Sequence, residues 1–167
     1  MNCFFVTGMI ITEPSSTFLR TKSSEELFMV KFCLSVANQY LNLEKKDDSA
    51  PKYNFFQCVA FGDVGKKIVE CYVKGIRVSL QALIHNFLFK DSNGTPHFTD
   101  VLLVNQIECV DDSNAIFKIA SKRKSINKVL VDEISSIEKE FEEVCELGFL
   151  CINENDYYNI AISNMIT

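Results

Sequence analysis

The stretch Tyr53-Asn-Phe-Phe-Gln-Cys-Val-Ala-Phe-Gly62 constrains this chain more than any other. It sets four aromatics in ten residues, ends on a glycine and runs straight into a helix-like pattern. In a strand, alternate side chains point to opposite faces. One face then carries Tyr53, Phe55, Gln57, Val59 and Phe61, and the other Phe56, Cys58 and Ala60. Both faces are largely apolar. Such a strand is either buried on both sides, or displays rings on one side for a flat partner to stack on.

Its neighbours set the fold. Cys3 to Ile11 reads as a strand, with Gly8 marking a bend or a close backbone approach. Glu13-Pro-Ser-Ser breaks that run. Leu27 to Ala37 alternates: Phe28, Val30, Phe32, Leu34 and Val36 form an apolar face, while Lys31 and Ser35 look outward. Residues 38–52 are polar and charged, a long exposed loop with Tyr40 at its root. After the aromatic strand, Val64, Ile68, Val69, Tyr72 and Val73 recur at helical spacing. Asp63 suits the N-cap and Lys74-Gly75 the stop. Ile76 to Leu88 is a strand with Ile76, Val78, Leu80, Ala82 and Ile84 on one face. Asp91-Ser-Asn-Gly94 is a hairpin turn leading into a last strand, Phe98 to Val110. Three strands, a helix, then two strands is the order of a mainly β, five-stranded OB-fold barrel with one mid-chain helix. A sandwich would lack that helix, and a ferredoxin-like fold would need two.

Residues 1–112 make up this barrel, and 113–167 an appendage. The appendage opens with a basic run, Lys118, Lys122, Arg123, Lys124 and Lys128. Ile126, Val129, Leu130, Ile134, Ile137, Phe141, Val144 and Cys145 then form an apolar stripe, with Glu138, Glu140, Glu142, Glu143 and Glu146 crowded around it. That pattern predicts one amphipathic helix over 126–146. Two short apolar runs, 149–152 and 157–162, suit a hairpin.

Charge and reactive residues narrow the chemistry. Net charge is −5, so charge alone does not grip nucleic acid, although a locally basic groove fits. Seven cysteines lack any C-x-x-C spacing and only His85 and His97 accompany them, which argues against a zinc site. Their odd count and apolar positions fit reduced thiols in a cytoplasm. Neither a secretory leader nor an apolar run of membrane-spanning length is present, which predicts a soluble, intracellular protein. There is no Walker loop, no G-x-G-x-x-G and no nucleophile–base pair, so we expect no enzyme and no cofactor. Both histidines read as hydrogen-bonding strand residues. With Trp absent, any stacking falls to Phe, Tyr or His.

Over residues 2–110 the sequence resembles the bacterial and mitochondrial single-stranded DNA-binding proteins. The marks are Asn2 before a strand containing Val6-Thr-Gly8, then Phe32-Cys-Leu-Ser-Val-Ala37 leading to Tyr40. Phe55-Phe-Gln-Cys-Val-Ala-Phe-Gly62 follows, then a helix ending Lys74-Gly75, then Val78, and Phe89 just before Asp91-Ser-Asn-Gly94. The resemblance implies sequence-independent binding of single-stranded DNA by an OB-fold homotetramer in replication, recombination or repair. It places base stacking at Tyr40, Phe55, Phe61 and Phe89. Parity agrees that Phe55 and Phe61 share a face, and Tyr40 and Phe89 stand at the bases of the two long loops. Phe61, beside Val59, also fits a core position, and Tyr40 also fits a plain surface tyrosine. Location follows from the resemblance too: cytoplasmic and nucleoid-associated, or an organelle matrix.

Departures from the pattern bear on strength and partners. Where the family commonly carries basic groups beside the rings, this chain has Gln57, Asp63, Val73, Phe87 and Leu88, and Ala82 replaces a common glycine. The remaining candidates for phosphate contact are Lys31, Lys45, Lys46, Lys66, Lys74, Arg77 and Lys90, with Arg20, Lys22, Lys52 and Lys67 behind them. Residues 1–112 hold 11 basic against 13 acidic side chains, a net −2, so few phosphate contacts and a shallow salt dependence are expected. For each lysine alone, a solvated surface charge is the readier reading. The family's acidic tip closing on Pro-Phe is missing from Ser-Asn-Met-Ile-Thr at 163–167, so recruitment by it is not carried over. The 126–146 helix is then the candidate contact for replication or repair proteins. Its stripe also fits packing on its own barrel or on a neighbouring subunit. The apolar outer positions of 3–11 predict pairing with further copies of the chain. The alternative to a DNA-binding role is a diverged OB-fold protein, a primosome component or protein-interaction scaffold with weak DNA binding.

Overall fold

A computed structural model of the chain describes residues 2–20, 25–38, 51–90, 93–111 and 128–146. Its strands are β1 (Phe4–Ile10), β2 (Ser15–Arg20), β3 (Glu26–Ala37), β4 (Tyr53–Phe61), β5 (Arg77–Lys90) and β6 (Pro96–Cys109). Helix α1 (Gly62–Cys71) follows β4, and helix α2 (Lys128–Glu146) follows the barrel. The loop at 39–50 with Tyr40, Lys45 and Lys46, the residue Lys22, the basic run up to Lys124 and the 149–162 hairpin all lie outside the described residues.

The sheet closes on itself. β1 pairs β5, β5 pairs β6, β6 pairs β4 in parallel, β4 pairs β3, and β3 returns to β1. With the helix between β4 and β5, this ring is the OB-fold. Closure needs β1 to cross β3 at short range, and Gly8 provides it. A Cβ at Gly8 would lie 2.4 Å from the Ser35 carbonyl oxygen. The expected close approach at Gly8 is there.

Alternation sorts the two faces. Inside lie Ile10, Val30, Phe32, Leu34, Cys58, Ala60, Val78, Leu80, Ala82, Leu102 and Val104, all buried. Of the even-numbered positions predicted for β3 and β5, Phe28, Val36 and Ile84 are half-buried against this core and the others, Ile76 among them, are buried in it. Helix α1 plugs one end: Ile68 is fully buried, and the Tyr72 hydroxyl donates to the Ile107 carbonyl at 3.3 Å.

Three local details differ from the sequence reading. Ser15–Arg20 forms an additional strand, β2, paired antiparallel to β3 with Phe18 opposite Phe28 and Leu19 opposite Leu27. Pro14 lies between β1 and β2 and does not end extended structure; Thr17-Phe18-Leu19 is a short strand-forming run that finds a partner in β3. Helix α1 begins at Gly62, capped from the extended Phe61 without a side-chain bond, so Asp63 is not the N-cap. Asp63 sits in the first turn, where its carboxylate pairs with Lys66 at 3.2 Å. Gly75 does not stop the helix, which ends at Cys71. It adopts φ +94° in the next turn, where its N–H donates to the Ile10 carbonyl at 2.7 Å.

Candidate nucleic-acid interface

The outer face of β3 and β4 carries the aromatic strand's odd-numbered residues. Register places Ser35 opposite Phe55, Cys33 opposite Gln57, Lys31 opposite Val59 and Met29 opposite Phe61. Phe55 and Phe61 are thus on one side of the barrel wall, outside the main core, as parity predicted. Six residues apart in a strand, they stand about 20 Å apart, with Lys31 on the neighbouring strand between them.

Each ring has its own surroundings. Phe61 is half-buried against a second cluster on this outer side: Leu19, Met29, Val59, Val101 and Leu103, joined by Leu27 and Leu83. Phe55 belongs to a third cluster, with Met9, Ile11, Cys33, Tyr53, Ile134, Ile137 and Phe141. Helix α2 brings the last three. Its Phe141 ring lies against Phe55, centroids 5.2 Å apart at 56°. Its Glu140 carboxylate accepts from the Tyr53 backbone N–H at 3.0 Å. The aromatic strand therefore faces the barrel core within; without, α2 covers its Phe55 end, and Phe61 is half-buried among its sheet neighbours. Phe89 lies in β5 opposite His97, at the root of the hairpin, and Lys90 stands opposite Pro96.

Several of the candidate cations are paired. Arg77 reaches Glu133 of α2 at 3.2 Å, and Lys74 pairs with Glu138. Lys66 is held by Asp63. Lys67 donates to the Ile107 carbonyl at 3.4 Å. Lys31 stands on the outer face itself, opposite both Ser15 and Val59. Burial, then the carboxylates of Glu133 and Glu140, raise the Tyr53 phenol above its usual range. Burial pushes the Cys33 thiol up to about 12.

Helix α2 rests on the barrel through Ile134, Ile137 and Phe141. Ile137 is its one fully buried side chain among the described residues. That burial is worth about 1.5–3 kcal/mol, and exposed ion pairs of this kind add about 0–1 kcal/mol each. The stripe of Ile134, Ile137, Phe141, Val144 and Cys145 announced a docked face. The acidic residues beside it did not announce that they would reach Lys74 and Arg77, because sequence fixes neither the helix's position nor its direction across the sheet.

No protein-family model matches the chain. A single-stranded DNA-binding protein of Clostridium perfringens is 25% identical to it over 114 residues, covering 68% of this chain and 69% of that protein. Over that segment the chain is similar to the single-stranded DNA-binding proteins. The ring-closed sheet with one mid-chain helix is consistent with this likeness. Among the described residues, no group of three or more His, Cys, Asp or Glu comes together as metal ligands, and no helix is long and apolar enough to cross a membrane.

Proposed function

We propose that the protein binds single-stranded DNA without sequence preference, across the outer face of β3 and β4, and serves replication, recombination or repair without catalysing a reaction. The observation that carries this reading is the placement of Phe55 and Phe61 on the outside of one strand with Lys31 between them. Bases stack on the rings, each contributing about 1–3 kcal/mol whatever its identity. Tyr40 and Phe89, at the roots of the flanking loops, extend the stacking path. Lys31, Lys74 and Arg77, with Lys45, Lys46, Lys66 and Lys90, meet phosphates.

Copies of the chain associate through the outer side of β1, where Phe5 is 71% exposed; a tetramer is what the family likeness implies. Met9 and Ile11 of the same run lie under α2, which narrows that surface to its first residues.

A second reading has support in the seating of α2 on the Phe55 end of the face: a scaffold whose barrel holds protein segments and binds DNA weakly. Binding of a labelled mixed-sequence oligonucleotide separates the two, measured as a single strand and as its duplex. Single-strand binding at low salt, at least tenfold tighter than duplex binding, supports the first. Equal or absent binding leaves the scaffold.

A further inference from the structure

One end of the outer face already has an occupant, matched to it residue by residue. Register sets Arg77 of β5 opposite Met9 of β1, Met9 opposite Ser35 of β3, and Ser35 opposite Phe55 of β4. This row crosses four neighbouring strands and is about 14 Å long at the usual strand spacing. On α2, the rise from Glu133 to Phe141 is about 12 Å. Glu133 lies on Arg77 at one end and Phe141 on Phe55 at the other. Ile137, midway between them, is buried with Met9 and Cys33. Glu138 holds Lys74 beside the same row. The helix thus runs the length of the row, carboxylate on cation at one end and ring on ring at the other.

We propose that α2 is a displaceable cover of the DNA path, so that a bound strand and α2 compete for this row. The inference rests on the DNA-binding reading above. A base stacked on Phe55 needs the place of the Phe141 ring. A phosphate at Arg77 or Lys74 needs the carboxylates of Glu133 and Glu138 to leave, since like charges repel. Helix α2 offers these groups the same chemistry, anion then flat ring, that a nucleotide would bring. The apparent affinity for DNA is then the intrinsic affinity scaled by the fraction of chains in which α2 is lifted. The ring contact and Ile137 are insensitive to salt, so the cover persists where the ion pairs are screened.

The test uses the full chain and a fluorescein-labelled mixed-sequence oligonucleotide at low salt. Ile137→Asp places a charge under α2 without touching the barrel interior, and Glu133→Gln with Glu138→Gln frees the two cations. Ile137→Asp is expected to tighten binding about tenfold, and the double Gln variant by a smaller factor. Phe55→Ala is expected to cost more in the Ile137→Asp background than in the parent. Amide exchange provides a check independent of variant folding: saturating oligonucleotide speeds exchange over residues 132–146 of the parent. Parent binding that is unchanged or weakened in both variants, or α2 amides that stay equally protected with DNA bound, overturns the cover and leaves the DNA-binding reading standing. No binding by the parent or by either variant overturns that reading, and the cover with it.

Discussion

The α-carbon of Gly8 packs so tightly on Ser35 that a methyl group there would sit 2.4 Å from the Ser35 carbonyl oxygen and 2.9 Å from the Leu34 side chain. This contact is where β1 crosses β3 and the sheet closes. Gly8→Ala must push the two strands apart, and the obstacle is backbone that cannot rotate away. We expect a loss of about 1–3 kcal/mol, read as a drop of several degrees or more in the melting temperature. Gly62→Ala, where a Cβ meets nothing within 4 Å, serves as a comparison limited to the strain of φ +56°.

Leu34 is fully buried in the main core, whereas Ile137 is buried only between α2 and the sheet. Leu34→Ala should destabilise the barrel by about 2–5 kcal/mol. Ile137→Ala should loosen α2 and leave the barrel's own unfolding midpoint nearly unchanged. Amide exchange resolved by segment distinguishes the two: β3 and β4 become faster in the first variant, and 132–146 alone in the second.

Burial holds the Cys33 thiol at about 12, raised from 9.0, and pushes Cys58 up as well. A thiol whose folded value is raised stays protonated while the unfolded chain ionises. Its stabilising contribution is therefore complete below pH 9 and declines as pH rises from 9 towards 12. The slope is about 1.4 kcal/mol per pH unit for each such thiol. Urea unfolding at pH 8 and pH 10.5 measures it, and Cys33→Ala should reduce the difference. The same burial predicts that iodoacetamide at pH 8 modifies the exposed Cys3 and Cys71 while sparing Cys33 and Cys58 until the chain unfolds.

Lys31 lies on the outer face between the levels of Phe55 and Phe61. A phosphate held there releases its counterion, so Lys31→Ala should flatten the plot of log affinity against log salt by about 0.7. Lys52→Ala, an exposed lysine just before β4, should change the slope less.

Much of the barrel was legible in the sequence because alternation and turn residues act locally. The even positions of β3 and β5 face inward as their apolar pattern required, and Lys90 stands opposite Pro96 across the hairpin that Asp91-Ser-Asn-Gly94 announced. Strand β2 was missed because a proline looks like an ending, and a six-residue strand shows little periodicity. Asp63 was misjudged because the helix begins one residue earlier, at Gly62, directly from the extended Phe61. At the site, parity placed Phe55 and Phe61 on one face. It could not say what lies over them. The pairing of Glu133 with Arg77 and the contact of Phe141 with Phe55 join residues that are 56 and 86 positions apart. Only the docking of α2 decides such contacts, and no local pattern encodes its angle.

The central claim is that flat side chains on the outer wall of β4, more than cations, hold unpaired nucleotides. Oligonucleotide affinity of the parent and of Phe55→Ala with Phe61→Ala, each at low and high salt, tests it most directly. Two lost stacks at about 1–3 kcal/mol each predict a loss of roughly thirtyfold or more. The predicted loss is of similar size at both salt concentrations. Affinity unchanged by the double substitution, or a loss that disappears at high salt, would contradict the account.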